Sequence, residues 1–360
     1  MEQNRSKRKA KVLSTSKNFT EITEWYQKKR DFYKRLAIKV ELIIKEILDN
    51  EKIIYHDLTS RAKDVESFLD KASKEKYIDP ANEIMDLAGI RVTAYVESDV
   101  KKICEIIESE FKIYEEHSGD KSENLAENQV GYRSVHYVAE INSVRSDLPE
   151  YHRFQGVPFE IQVRTILQHA WAEIEHDRNY KLKGELPEKR DIKRRFSLLA
   201  AVLEMADREF DSIVNDIDIY IEDVKAETKK GYLQIPIDSI SLKEYLDNKL
   251  SDVDIKSREL SIDQSTSVNE LKRFGIDNLS MLDKLINQDF IEKFKEITPY
   301  PGNYLSFLRI LMITTDVEKY FDKAKIPEFT AVKQSFANAL VHFGININTL
   351  EKYRMEIYAS

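Results

Sequence analysis

The sequence predicts an α+β fold that gives way to a mainly α-helical C-terminal region. Three observations carry that expectation. Strand-like runs at 89–96, 135–141 and 159–164 are separated by stretches of helical periodicity as far as residue 182. From Phe196 to Val224, apolar residues recur in alternating steps of three and four. Beyond Pro236 the pattern is helical and carries no chemical motif.

Taken in order, residues 1–17 read as a disordered tail made basic by Arg5, Lys7, Arg8, Lys9 and Lys11. Ile22, Trp25, Phe32, Leu36, Val40, Ile43 and Ile47 mark a long amphipathic helix ending near Asn50. A short strand is expected at 53–58 and a helix from about Ser60. On that helix Lys63, Ser67, Lys71 and Lys74 would share one face. Ammonium groups stacked this way repel unless they are solvated or meet an anion. The row is therefore either an exposed lysine face or a seat for a phosphate chain. Residues 89–96, GIRVTAYV, form a β-branched strand preceded by Asp86. A helix follows from Ser98 to Glu110, and 111–114 is another strand. A polar segment, 117–130, opens into GYRSVHY at 131–137, and a strand continues to Ile141.

Phe159, Ile161 and Val163 then alternate with Glu160, Gln162 and Arg164, which gives a strand one apolar and one polar face. A buried face gains nothing from a carboxylate, an amide and a guanidinium in line. They suit either a half-exposed edge or a ligand lying across the sheet. Thr165 is placed to cap a helix from Ile166 to Arg178. The seam from Phe196 to Val224 must bury against the N-terminal helix, the C-terminal region or a second copy of the chain. Gly231 and Pro236 end it. The expected organisation is a tail at 1–17, an α+β domain with flanking helices at 18–230 and a helical domain at 231–360. In the last of these, Ser241 with Glu244 and Ser267 with Glu270 are candidate capping boxes. Phe274-Gly275-Ile276 and Phe343-Gly344-Ile345 form a similar pair of helix ends.

The 360 residues are 42% hydrophobic, enough for two domains and an ample core. A single cysteine, Cys104, excludes a disulfide framework and a thiolate zinc site, and reads as an inert buried thiol. With no signal-peptide pattern and no apolar run long enough to cross a membrane, a cytoplasmic location is expected. The net charge of −8 excludes a general nucleic-acid binder. The basic tail and residues 181–195 are local exceptions, either solvated or facing a polyanion. There is no Walker A sequence and no Gly-rich fingerprint. Instead, Asp86 before one strand and Glu160 on another would frame Mg²⁺ and a triphosphate opposite the lysines, because Mg²⁺ takes one or two protein carboxylates and completes its shell with phosphates and water.

Four motifs together resemble the synthetase domain of the RelA/SpoT alarmone synthetases. They are SRAK at 60–63 followed by Ser67, Lys71 and Lys74; DLAGIRV at 86–92; GYRSVHY at 131–137; and EIQVRT, HAWAEIEH and YK within 160–181. Their order and spacing agree over residues 20–210, and four motifs in register are far more specific than any one. The shape is closest to the single-domain small alarmone synthetases and their toxin relatives. His56-Asp57 and His176-Asp177 are then chance His-Asp pairs and not a hydrolase centre.

The resemblance implies a mixed β-sheet, nucleotidyltransferase-like synthetase domain flanked by helices. It implies a Mg²⁺-dependent pyrophosphokinase that moves a pyrophosphate group from ATP to the ribose 3′-hydroxyl of GDP or GTP, making (p)ppGpp. Carried over residue by residue, Arg61 and Arg91 would sandwich the adenine. Lys63, Lys71 and Lys74 would bind the ATP phosphates, and Asp86 would hold Mg²⁺. Glu160 would take the proton from the 3′-hydroxyl and touch the metal. Tyr132 would stack on the acceptor's guanine, with His136, Gln162 and Arg164 on the acceptor side. His169, Glu173 and His176 share a helical face as metal ligands would. The resemblance instead gives that helix a structural role, with Trp171 in the core.

One departure concerns the acceptor. The segment ahead of GYRS, which in guanosine-nucleotide synthetases brings basic residues to the acceptor's 5′-phosphates, offers only Lys121 among Asp120, Glu123 and Glu127. Toxic members of the family modify the 3′ end of tRNA, and others make adenosine alarmones. For a tRNA acceptor the basic tail and 181–195 are the expected backbone contacts. The expected partners are thus ATP, then GDP or GTP with tRNA as alternative acceptor, and a second copy of the chain through the 196–224 helix.

Overall fold

A computed structural model describes residues 2–120, 134–181, 189–260 and 264–359; the side chains of 2–18, 120, 176–181, 189, 190, 193 and 264 lie outside that description. The chain divides into two compact units, Met1–Ile213 and Val214–Ser360.

In the first unit, six strands make one mixed sheet: β1 (Asp57–Ala62), β2 (Ala88–Ala94), β3 (Phe111–Ile113), β4 (Gly119–Asp120), β5 (Val135–Ile141) and β6 (Phe159–Thr165). Their order is β1-β2-β6-β5-β3, with β4 against β5. Only the central pair β2–β6 is parallel among these strands. The helices are α1 (Glu2–Asn50), α2 (Val65–Ala72), α3 (Pro80–Glu83), α4 (Glu97–Glu110), α5 (Ser143–Ser146), α6 (Ile166–Lys181) and α7 (Lys189–Lys229). α1 takes in the segment expected as an unstructured basic tail, whose side chains lie outside the described residues. The basic segment 181–195 lies largely outside them too.

The period-two alternation decides which face of the sheet is covered. Ile90, Val92, Ile161, Val163, Ala139 and Ile141 are buried against Leu36, Val40 and Ile44 of α1 and Val100, Ile103 and Ile107 of α4. A second cluster fixes α2 to α1: the Tyr26 ring stacks on Phe68 at 4.3 Å between centroids, among Ala72, Ile84 and Leu87. Among the described residues, the opposite face of β1, β2, β6 and β5 borders the pocket described below.

The segment around Ser60 differs from expectation. The strand begins at Asp57 and includes Ser60 and Arg61, because pairing with β2 runs from Asp57↔Thr93 to Ala62↔Ala88. A ladder of six residue pairs outweighs the local helical spacing. Lys63 therefore lies in the turn between β1 and α2, and Lys74 lies past the end of α2. The lysine row along a single helix does not form.

The second unit contains the C-terminal part of α7 and then α8 (Ser239–Lys249), β7 (Ile255–Ser257), α9 (Gln264–Arg273), α10 (Leu279–Leu285), α11 (Gln288–Lys295), β8 (Tyr300–Asn303), α12 (Tyr304–Thr315), α13 (Val317–Lys319), β9 (Ala331–Lys333), α14 (Gln334–His342), α15 (Asn348–Lys352) and β10 (Glu356–Tyr358). Asp238, not Ser241, caps α8: its Oδ1 accepts from the Ser241 amide at 2.8 Å, and Ser241 Oγ accepts from the Asp238 amide at 3.0 Å. Ser267 lies inside α9 and donates to the Leu260 carbonyl. The two Phe-Gly-Ile segments are matching helix ends. Gly275 (φ 84°) and Gly344 (φ 88°) both adopt the left-handed conformation after their helices. The amides of Ile276 and Ile345 both turn back to the carbonyl five residues earlier, at 2.9 and 3.0 Å.

On α7, Val224 of the expected seam is buried, whereas Leu199, Phe210, Ile213 and Ile217 are exposed. Among the described residues no helix is long and apolar enough to cross a membrane.

Candidate active site

Register across four strands builds the pocket-bordering face. Thr59, Arg91, Gln162 and His136 lie in one cross-strand row, and Arg61, Gly89, Glu160 and Val138 in the next. Residues two apart on a strand share a face, so both rows project to the same side. There they border a pocket of about 320 Å³ lined by Thr59, Ser60, Arg61, Lys63, Lys71, Asp86, Gly89, Ile90, Arg91, His136, Glu160 and Gln162.

One wall is cationic around a single carboxylate. Lys63 Nζ and Lys71 Nζ both reach Asp86 Oδ2, at 2.7 and 2.8 Å. Asp86 Oδ1 is buried and has no hydrogen-bond partner. Lys63 is held from below, since its carbonyl accepts from Tyr26 Oη at 2.6 Å and Arg30 Nε at 3.2 Å, and its amide donates to the Leu87 carbonyl. Burial pulls the Lys71 ammonium towards a lower pKa, but the hydrogen bond and charge of Asp86 outweigh it and leave the pKa above the ordinary lysine value. Lys71 therefore stays charged throughout the neutral range. Two fixed ammonium groups on one oxygen leave an excess of positive charge, which an anionic ligand would neutralise.

The facing wall is a hydrogen-bonded chain. His136 Nδ1 lies 2.9 Å from Glu160 Oε1, Gln162 Nε2 donates to Glu160 Oε2 at 2.7 Å, and Arg164 donates to Gln162 Oε1. Both carboxylate oxygens of Glu160 are thus oriented. His136 is buried, and its Nε2 has no hydrogen-bond partner.

The turn from β6 into α6 explains how this chain is held. Thr165 Oγ1 accepts from the Gln168 amide at 3.1 Å, and Gln168 Oε1 accepts from the Thr165 amide at 3.0 Å, a reciprocal cap. Thr165 Oγ1 also donates to the buried Asp207 of α7 at 2.8 Å. From α6, Glu173 reaches Arg91 at 3.0 Å and fixes its guanidinium beside the pocket. His169 lies 3.9 Å from the same Glu173 oxygen. Burial, then the Arg91 and Arg164 cations, hold its pKa below the ordinary histidine value, against the opposing charges of Glu173 and Asp57. His169 is accordingly neutral at neutral pH, and the side chain of His176 lies outside the described residues. Trp171 is only half-buried and donates from Nε1 to the Phe196 carbonyl. Cys104 is likewise half-buried.

The structure thus brings together eight of the residues singled out from sequence: Arg61, Lys63, Lys71, Asp86, Arg91, His136, Glu160 and Gln162. Arg164 is buried behind Gln162. Lys74 borders a separate groove of about 570 Å³ with Phe19, Trp25 and Tyr77. Tyr132 and the acidic loop containing Lys121 lie outside the described residues. Sequence reasoning gave no site role to Thr59, Ser60, Gly89 or Ile90 in the lining, and missed Glu173 as the partner of Arg91. Thr59 alternates with Arg61, and placing the strand at 57–62 would have found it. Among the described residues no cluster of three or more His, Cys, Asp or Glu side chains could hold a metal by protein ligands alone.

Comparison with known proteins places the chain in a wider group. A family model described as a region found in RelA / SpoT proteins matches residues 60–185. The chain is 31% identical over 166 residues to the GTP pyrophosphokinase YjbM of Bacillus subtilis, an overlap of 44% of this chain and 72% of that one. It is 30% identical over 132 residues to the GTP pyrophosphokinase YwaC of the same organism, covering 36% and 60% of the two chains. Among solved structures, the small alarmone synthetase 1 from Bacillus subtilis overlays with a TM-score of 0.45 at 26% identity, over 54% of this chain and 98% of that one. The same synthetase bound to its product pppGpp gives 0.45 at 25% identity, with the same coverage.

Proposed function

The chain belongs to the RelA/SpoT family of GTP pyrophosphokinases, and from that premise we propose that it transfers a pyrophosphate group from ATP to the ribose 3′-hydroxyl of GDP or GTP, with Mg²⁺ bound. The observation that carries this reading is Asp86. Its Oδ2 takes both Lys63 and Lys71, while its Oδ1 is buried without a partner in the pocket that Glu160 also lines. A lone carboxylate oxygen beside two ammonium groups fits a hard divalent cation that brings phosphate oxygens with it. Asp86, with Glu160 opposite, would hold it. When bound, the ion would neutralise charge on the phosphates and polarise the phosphoryl group under attack.

The chain's own residues account for the rest. Arg61 and Arg91 offer planar cations for an adenine face, and Glu173 holds Arg91 in place. Lys63 and Lys71 turn from Asp86 to the incoming phosphates. Lys74 would reach the phosphates only from the edge, given the groove it borders. His136 and Gln162 fix Glu160, whose carboxylate takes the proton of the acceptor 3′-hydroxyl. The freed oxygen attacks the β-phosphorus of ATP, the bond from that phosphorus to the α–β bridging oxygen breaks, and AMP leaves. Phosphoryl-type transfer asks the protein mainly for alignment and charge neutralisation, and these groups supply both.

The test is to incubate purified protein and Mg²⁺ with ATP labelled in both the β- and γ-phosphates, together with GDP, GTP, AMP or bulk tRNA. Both labels are expected together on the 3′ position of GDP and GTP. Label confined to tRNA or to AMP would overturn the guanosine acceptor, and transfer of the γ-label alone would overturn pyrophosphate transfer.

A further inference from the structure

Gly89 lies in the interior of β2, paired on both sides, with Arg61 of β1 and Glu160 of β6 as its register partners. Glycine weakens a strand interior because it packs nothing and loses the most chain freedom on folding. Two structural reasons for tolerating that loss are absent here. Its φ is not in the left-handed region, which among the described glycines is occupied by Gly119, Gly156, Gly231, Gly275 and Gly344. Nor is it crowded: a Cβ added at Gly89 would have only the Arg61 carbonyl oxygen within reach, at 4.0 Å. The protein itself leaves room for a Cβ. What a side chain there would fill is the pocket, between Arg61 and Glu160.

We infer that the bare backbone at Gly89 is the seat of the donor's reacting phosphate group, and that its missing side chain is what admits that group beside Glu160. This rests on the pyrophosphokinase reading, which takes the donor to be a nucleoside triphosphate extending from the Arg61 side towards Glu160. A phosphate lowered onto Gly89 would share the pocket with Lys63, Lys71 and Asp86 and would lie beside Glu160, the register partner of Gly89. A branched side chain would lift it out of that position.

The experiment compares wild-type protein with Gly89→Ala and Gly89→Val. It reads the KM for ATP, calorimetric affinity for a non-hydrolysable ATP analogue with Mg²⁺, and thermal unfolding. Because β-branched residues suit strands, Gly89→Val is expected to unfold at or above the wild-type temperature. Its KM for ATP and its dissociation constant for the analogue are expected to rise about tenfold or more, as overpacking of a filled site does, and Gly89→Ala is expected to fall between it and wild type. A Gly89→Val protein that binds the analogue with wild-type affinity overturns the inference. So does one that melts well below wild type, because the glycine would then be serving the packing of the sheet. Wild-type protein that binds no analogue and transfers nothing instead removes the pyrophosphokinase reading, and that result is visible before any variant is compared.

Discussion

Replacing Glu160 with glutamine is expected to lower kcat by about 10²- to 10⁴-fold, the range that a positioned general base contributes. Glutamine keeps the length and planarity of the side chain. Its carbonyl oxygen can still accept from one of the two neighbours that hold Glu160, His136 Nδ1 at 2.9 Å and Gln162 Nε2 at 2.7 Å. On the proposed mechanism, what it loses is the ability to take a proton from the acceptor hydroxyl. The loss should therefore fall mainly on turnover, with a smaller rise in the KM for ATP, because Asp86, Lys63, Lys71 and the two arginines would still hold the Mg²⁺-loaded donor when Glu160 no longer helps to hold the ion. Steady-state kinetics with each substrate varied in turn checks this. Undiminished turnover would remove Glu160 as the base and leave the family assignment standing.

The second large effect lies in the other unit and concerns stability. Glu270 on α9 is completely buried, and it receives Arg309 of α12 through Nε at 3.0 Å and Nη2 at 2.6 Å and Tyr320 Oη at 3.1 Å. The guanidinium also lies 3.7 Å from the centre of the Phe329 ring. Arg309→Ala would leave a carboxylate in the core with a single phenol for company, which costs about 3–5 kcal/mol. Replacing both partners, with Glu270→Leu added to Arg309→Met, should recover most of that loss, because the penalty belongs to the orphaned charge and not to the missing attraction. Denaturant unfolding of the full chain reads both variants. A loss below about 1 kcal/mol for Arg309→Ala, the size expected of an exposed pair, would contradict the account.

Much of the first unit was legible in the sequence because its strands obey a strict alternation. Phe159, Ile161 and Val163 against Glu160, Gln162 and Arg164 specified both the buried and the working face of β6, and Thr165 announced the helix that follows. The reading failed where local spacing and long-range pairing compete. Lys63, Ser67, Lys71 and Lys74 have a helical period, yet Ser60 and Arg61 belong to a strand whose partner lies at residues 88–93. The spacing of Ser267 and Glu270 imitates a capping box, but Glu270 is spent on Arg309, 39 residues away. The link from Glu173 to Arg91 crosses from a helix to a strand, and no local pattern signals it. Contacts that depend on how the sheet and helices assemble leave no trace in spacing, and these include the partners that orient the site.

The central claim is that Asp86 and Glu160 face one Mg²⁺-loaded triphosphate clamped by Lys63 and Lys71. Its most direct test is calorimetric titration of a non-hydrolysable ATP analogue, with and without Mg²⁺, into wild-type protein and into Asp86→Asn. Mg²⁺ should tighten binding to wild type about tenfold or more and should have little effect on binding to Asp86→Asn, whose amide is a far weaker ligand for a hard cation. An Asp86→Asn protein that keeps the full Mg²⁺ dependence of wild type would contradict the account.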